Sequence, residues 1–307
     1  MESLNGNSAG LVGVEASNGA LTAVKLADDG TVSAMEQVSV NRGIDRLPQI
    51  LEFIGGLKTT FGDFSKIGLA LPGLIEKASQ RVAYSAHIPE HARGDIADEI
   101  RAATGVRTIV ENDANAAAYG EYRLGAGRGC SSMFYATLGE GVGGAFIIDG
   151  QIWRGSAGFA GEFGYVTINS DGMRLEEVAS TANIVRRTRQ RFHQDHTSSL
   201  GRLDEQQMTI SDIVSAAERG DDFAQMMLQR TGSYVGTAIA TVINLFNIER
   251  VVVGGEIMRA ANVVLDGIIR RARELSFSPS FNSTTVVAGE LNDNAAAAGA
   301  ALLSGEA

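Results

Sequence analysis

The chain has 307 residues, 44% hydrophobic and 20% charged, enough for two globular domains of roughly 150 residues each with a sizeable buried core. Its formal charge is −10 at pH 7, and no run of Lys and Arg prepares a face for a phosphate backbone, so composition argues against nucleic acid as a partner. Cys130 is the only cysteine, which excludes an intrachain disulfide and a Cys-rich zinc site. His87, His91, His193 and His196 match no familiar metal-ligand spacing and read as surface or loop residues.

In chain order, the opening MESLNGNSAG is polar and lacks the basic and apolar stretches of a signal peptide, and no apolar run approaches the ~20 residues of a membrane span. A soluble, cytoplasmic protein without membrane partners is expected. Residues 11–32, LVGVEASNGALTAVKLADDGTV, predict strand, polar turn, strand, Asp-Gly turn and strand. LPQILEFIGGL has helical spacing, KIGLALPG is a buried strand entering a Pro-Gly turn, and RTIVEND is another strand. DANAAAYGEYRLG then reads as an Ala-rich helix closed by glycine. Residues 133–155 repeat the opening plan, with a Gly-rich turn in place of the polar one. Two copies of one supersecondary unit predict two related α/β domains. Residues 186–207 read as a helix end and an exposed loop, the stretch from 209 to 246 as two helices, and RVVVGGEI as a buried strand entering a Gly-Gly turn.

Three places carry chemistry. The turn TLGEGVGGA, with glycines at 139, 141, 143 and 144 and the hydroxyl of Thr137, lets backbone N–H groups converge on an anion, although an unliganded glycine-rich hairpin has the same composition. VENDANAAAYGE puts Asp113 where a buried strand meets a helix, either as a functional carboxylate or as a helix N-cap. GEFGY and LEE add Glu162 and Glu176 or Glu177 as acceptors for sugar hydroxyls. Such carboxylates also suit a glycosidase pair, a reading that the phosphate-type turns disfavour.

Over nearly its whole length the chain resembles the ROK (repressor, open reading frame, kinase) family of sugar kinases. The most specific stretch is TLGEGVGGAFIIDGQIWRGSAGFAGEFG, with LALPG, ENDANAAAYGE, VVVGGEI and NDNAAAAGAAL in the family's order. The resemblance implies a two-domain actin-like (ribonuclease H-like) ATPase fold with an interdomain cleft. It implies a small domain over 1–112 plus 291–307 and a large one over 113–290. It makes Asp113 the general base, gives Gly73, Asn112, Glu162, Tyr165 and Glu176 to the sugar, and gives Thr137, Gly139, Gly141, Gly254 and Gly255 to ATP. It further implies Mg²⁺, phosphorylation of a glucose-like hexose, an N-acetylhexosamine or a cyclitol at a primary hydroxyl, and a homodimer.

Two departures stand out. The family's Asp-x-Gly-Gly-Thr loop, often followed by Lys, is here Glu15, Ala16, Ser17, Asn18, Gly19 and Ala20. Glu15 keeps a carboxylate for a Mg²⁺-bound water, Ser17 keeps a hydroxyl, and Asn18 suits left-handed backbone. The family's Gly-His and cysteine zinc motif is replaced by Tyr165 and VTINSDGMRLEEVAS, so no zinc is expected and packing of Leu175 and Val178 must hold the sugar loop. The altered first loop also admits a sugar-binding regulator without phosphotransfer. A family repressor's N-terminal helix-turn-helix is not expected, because the first strand begins within about ten residues.

Overall fold

A computed structural model describes residues 10–41, 43–76, 81–85, 95–192 and 197–306. The four histidines and the first nine residues lie outside them. The elements are β1 (Leu11–Ala16), β2 (Ala20–Leu26), β3 (Val32–Ser39), α1 (Arg46–Phe61), β4 (Lys66–Leu71), β5 (Leu74–Glu76), β6 (Arg81–Tyr84), α2 (Ile96–Thr104), β7 (Arg107–Asn112) and α3 (Asp113–Leu124). There follow β8 (Ser132–Leu138), β9 (Val142–Ile148), β10 (Gln151–Trp153), α4 (Glu176–Ala179), α5 (Thr181–Arg189), α6 (Ile210–Glu218) and α7 (Asp222–Phe246). Last come β11 (Arg250–Gly254), α8 (Ala261–Leu275), α9 (Ser278–Asn282), β12 (Thr285–Ala288) and α10 (Ala295–Glu306).

The expected repeat is present in the sheets. One has the order β3-β2-β1-β4-β7 and the other β10-β9-β8-β11-β12, the same plan twice. In the first, β1 runs antiparallel to β2 and parallel to β4, and β4 runs parallel to β7. In the second, β11 is parallel to both β8 and β12. The chain forms two compact units, Met1–Gly129 with Ala145–Ala160 and Asp293–Ala307, and Cys130–Gly144 with Gly161–Asn292.

In the first unit, Val12, Val14, Leu21, Ile54, Leu57, Ile67 and Leu69 are buried in one apolar cluster between sheet and helices. The Ala-rich C-terminal helix α10 packs against β1, β4 and α3. Only glycine permits this approach: a Cβ on Gly13 would stand 1.9 Å from the Ala297 carbonyl, and one on Gly299 1.7 Å from that of Ala116. Helix α3 is thereby seated by its own small residues, so the chain from 113 to 129 lies in the first unit, whereas the sequence placed a domain boundary before Asp113.

In the second unit α7 packs along α8, with Gly232 and Gly267 at the crossing. Asp221 caps α7 by accepting from the Ala224 N–H at 3.0 Å, and Asn247 closes it in the left-handed region at φ 48°.

Candidate functional site

Strand β7 delivers Glu111 and Asn112 to its carboxyl end, and α3 begins at Asp113. The N-cap of α3 is Asn112, whose Oδ1 accepts from the Asn115 N–H at 3.0 Å. The N-cap is thus Asn112 and not Asp113. Asp113 Oδ1 accepts from the Ala114 N–H at 2.9 Å and from Asn112 Nδ2 at 3.1 Å, which fixes the carboxylate at the helix start. Asn112 Nδ2 also donates to the Gly73 carbonyl at 2.8 Å. Gly73 has φ 132°, and a Cβ there would meet the Tyr84 carbonyl at 2.5 Å, so the Pro-Gly turn after β4 requires glycine.

Behind these residues stands a layer the sequence reading did not single out. Glu111 is buried and paired with Arg154, while its Oε1 accepts from the Asn112 N–H and from Asn115 Nδ2, each at 3.0 Å. Glu111 and Asn115 are four residues apart across the start of α3, a spacing visible in the sequence. Arg154, 43 positions from Glu111, carries no such signal.

Glu15 ends the same side of the unit, one residue before the β1 terminus. Burial, then the charges of Asp113 and Asp293, push its pKa up to about 8. The three carboxylates concentrate negative charge, and that chemistry fits Mg²⁺. Among the described residues no group of three acidic, His or Cys side chains forms a protein cage for an ion. Mg²⁺ held through waters by one or two carboxylates and by substrate phosphates needs no cage.

The turn at 17–19 departs from expectation. Asn18 is not among the positive-φ residues, which among the described non-glycine residues are Asp149, Asn247 and Asn292. Ser17 Oγ closes the turn instead, donating to the Ala20 carbonyl at 3.0 Å and accepting from the Ala20 N–H at 3.1 Å. This Ser-centred turn needs no left-handed residue, which is why Asn fits. Arg46, the first residue of α1, donates to the Ser17 carbonyl and, at 3.2 Å, to that of Asn18. A cation from the start of a distant helix thus adjoins this turn. A Cβ on Gly19 would meet nothing within 4 Å.

In the second unit, Thr137 near the end of β8 pairs in register with Gly254 at the end of β11. Gly255 has φ 101°, and a Cβ there would lie 2.4 Å from the Leu138 carbonyl. Thr137, Gly254 and Gly255 are thus brought together. The turn between β8 and β9 is closed by the Gly139 N–H donating to the Gly141 carbonyl at 3.0 Å. Glu176 Oε2 accepts from the Val142 N–H at 3.0 Å and would lie 3.3 Å from a Cβ on Gly141. Glu176, expected at the sugar, thus touches this glycine turn through one carboxylate oxygen. It also pushes the Glu162 carboxyl above the usual range, after the larger effect of partial burial.

The segment 166–175 is a hairpin. The Leu175 N–H donates to the Val166 carbonyl and the Ile168 N–H to that of Met173, both at 2.9 Å, and Asn169 Oδ1 accepts from the N–H groups of Asp171 and Met173. Tyr165 is exposed and carries the Arg174 guanidinium 4.5 Å above its ring. Leu175 and Val178 are buried, as the packing argument required.

The ROK family profile matches residues 11–307. The chain belongs to the ROK family. It is 33% identical over 246 residues to a glucokinase of Thermotoga maritima, covering 76% of this chain and 77% of that one. It is 29% identical to the DNA-binding transcriptional dual regulator NagC of Escherichia coli, covering 84% of this chain and 64% of NagC. The crystal structure of a ROK family glucokinase from Streptomyces griseus in complex with glucose and AMPPNP matches with a TM-score of 0.86 and 26% identity, over 96% of this chain and 99% of that one. The fold of this ROK protein is the two-domain actin-like α/β fold. No described helix is long and apolar enough to cross a membrane.

Proposed function

We propose that this ROK protein transfers the γ-phosphoryl group of ATP to a primary hydroxyl of a hexose-like sugar, with Asp113 as the general base. As a class the protein is a carbohydrate kinase, by its family and its glucokinase relatives. The observation that carries the finer reading is that Asn112, not Asp113, caps α3, leaving a carboxylate oriented by two donors at one oxygen.

A sugar hydroxyl is a poor nucleophile. In the proposed step Asp113 accepts its proton as the oxygen attacks the γ-phosphorus, and the bond from that phosphorus to the β–γ bridging oxygen breaks to release ADP. Backbone N–H groups of this glycine turn, other than that of Gly139, which bonds the Gly141 carbonyl, meet the charge that develops on the phosphoryl oxygens. Mg²⁺, when bound, neutralises phosphate charge, and Glu15 would hold it through water. Asn112 Oδ1 keeps a second lone pair for a sugar hydroxyl, and Glu162 and Tyr165 supply further polar contacts. Gly73 and Glu176 belong to the sugar side as well, Gly73 holding Asn112 through its carbonyl and Glu176 standing beside the glycine turn. Thr137, Gly254 and Gly255 line the nucleotide side, with Ser17, Asn18 and Gly19 at its phosphates. The assembly we expect is a homodimer in the cytoplasm.

A second reading, a sugar-binding regulator without phosphotransfer, is favoured by the Ser17-Asn18-Gly19 turn and by the likeness to NagC. A coupled assay of ADP release over hexoses, N-acetylhexosamines and cyclitols separates the two. Turnover on one sugar supports the kinase, and saturable sugar binding without turnover supports the regulator.

A further inference from the structure

In a chain of net charge −10, α5 and α7 of the second unit carry arginines that no carboxylate among the described residues pairs with. Arg187 is half-buried, donates from Nη2 to the neutral Thr231 hydroxyl at 2.6 Å, and lies 5.3 Å over the Tyr234 ring. Its Nε is buried with no hydrogen-bond partner. Arg230 approaches the same ring at 6.0 Å and donates from Nε to the Tyr234 hydroxyl at 3.2 Å. Arg186 donates to Asn183 Oδ1 and to the Glu177 carbonyl, both neutral. No carboxylate among the described residues forms an ion pair with Arg186, Arg187, Arg191 or Arg230.

The acids on the elements around α5 are engaged elsewhere. Glu176 accepts from the Val142 N–H and Glu177 from the Arg174 N–H. Asp212 closes the capping box of α6, Glu218 pairs with Arg259, and Asp221 accepts from Ser198, Ser199 and the Ala224 N–H. Burial and, after it, the neighbouring Arg230, Arg191 and Arg186 lower the Arg187 pKa to about 10, against the opposing pull of Tyr234. A guanidinium so placed gains from an anion, because burying a charge is costly until it is paired.

We propose that the α5–α7 arginine cluster, centred on Arg187 and Tyr234, binds a phosphate group, free or as a phosphate ester. Phosphate fits better than a single carboxylate: it carries up to two negative charges at pH 7 and three acceptor oxygens, which suit several guanidinium forks at once. The proposal uses none of the residues assigned to phosphotransfer and stands whether or not the chain turns over a sugar.

The test is calorimetric titration of the whole chain with inorganic phosphate, with sodium chloride at matched ionic strength as control. Saturable binding is expected in the parent. Arg191→Gln/Arg230→Gln, which leaves Arg187 in place and is expected to fold, should weaken it roughly tenfold or more, the worth of one charge-assisted hydrogen bond. Arg187→Lys, which keeps the charge but loses the fork, should weaken it as well. Glucose 6-phosphate provides the second arm. If it binds more tightly than phosphate and the double variant abolishes the excess, the ligand is an ester; equal affinities assign inorganic phosphate. Undetectable saturable binding in the parent overturns the proposal, as it would if a second copy's carboxylates filled the cluster. Equal affinity in parent and double variant also overturns it, since the phosphate would then sit at the glycine turns.

Discussion

Arg154, on the segment after β10, pairs with the buried carboxylate of Glu111 at the end of β7, and Glu111 in turn holds the Asn112 N–H and the Asn115 side chain. The pair therefore stands directly behind the start of α3, where Asp113 is fixed. Removing one partner of a largely buried ion pair leaves the other uncompensated. Arg154→Ala should destabilise the protein by about 3 kcal/mol, read from denaturant unfolding. Double replacement with Glu111→Gln should recover much of that loss, because no charge is then stranded. A single variant as stable as the parent would show the pair to be solvent-screened.

Arg46 donates to the carbonyls of Ser17 and Asn18, so under the proposed function its guanidinium supplies positive charge beside the first phosphate turn. Arg46→Ala should raise the KM for ATP severalfold while leaving the KM for sugar unchanged, and Arg46→Lys should restore part of the effect. Equal shifts in both constants would mean that Arg46 only supports the fold of the unit.

The same turn yields an asymmetric pair of substitutions. Gly19→Thr meets open space and adds a hydroxyl donor, so ATP affinity should hold or rise. Asn18→Gly relieves no left-handed strain, since Asn18 has none, and should lower stability by roughly 0.5 kcal/mol through added chain freedom. A rise in ATP affinity from Asn18→Gly alone would contradict this account of the turn.

Glu15 sets a pH dependence in the ligand-free protein. Burial and the neighbouring carboxylates push its pKa up to about 8, above the ordinary carboxyl value of 4.5, so the folded state holds a proton that the unfolded state releases. Its contribution to stability is full below about 4.5 and is lost as pH rises through about 8. Thermal midpoints measured between these limits should fall with pH more steeply in the parent than in Glu15→Gln, and Mg²⁺ with ATP should weaken the parent's slope. Parallel profiles for parent and variant would refute the assignment.

The legible parts of this protein were those written in local periodicity. The repeated strand-turn-strand plan, the helix from Asp113 and the paired glycines at the end of β11 all sit where the pattern puts them. Asp113, Asn112, Thr137 and the glycines stand out in the sequence because each lies at or near the junction of two recognisable elements. Arg46, Arg154 and Asp293 do not, since each reaches its partners from far along the chain and no spacing encodes that approach. The hairpin at 166–175 has a local signal in Asn169 and Gly172, but its closure emerges only from the cross-strand bonds.

The most direct test of the central claim is single-turnover phosphotransfer by Asp113→Asn. The parent, with Mg²⁺, ATP and its best sugar, should form ADP and sugar phosphate in equal amounts. The variant, shown by melting to be folded and by calorimetry to bind the sugar with near-parental affinity, should be slower by on the order of 10²-fold or more. A folded Asp113→Asn protein that transfers phosphoryl groups at the parental rate would contradict the assignment of the base.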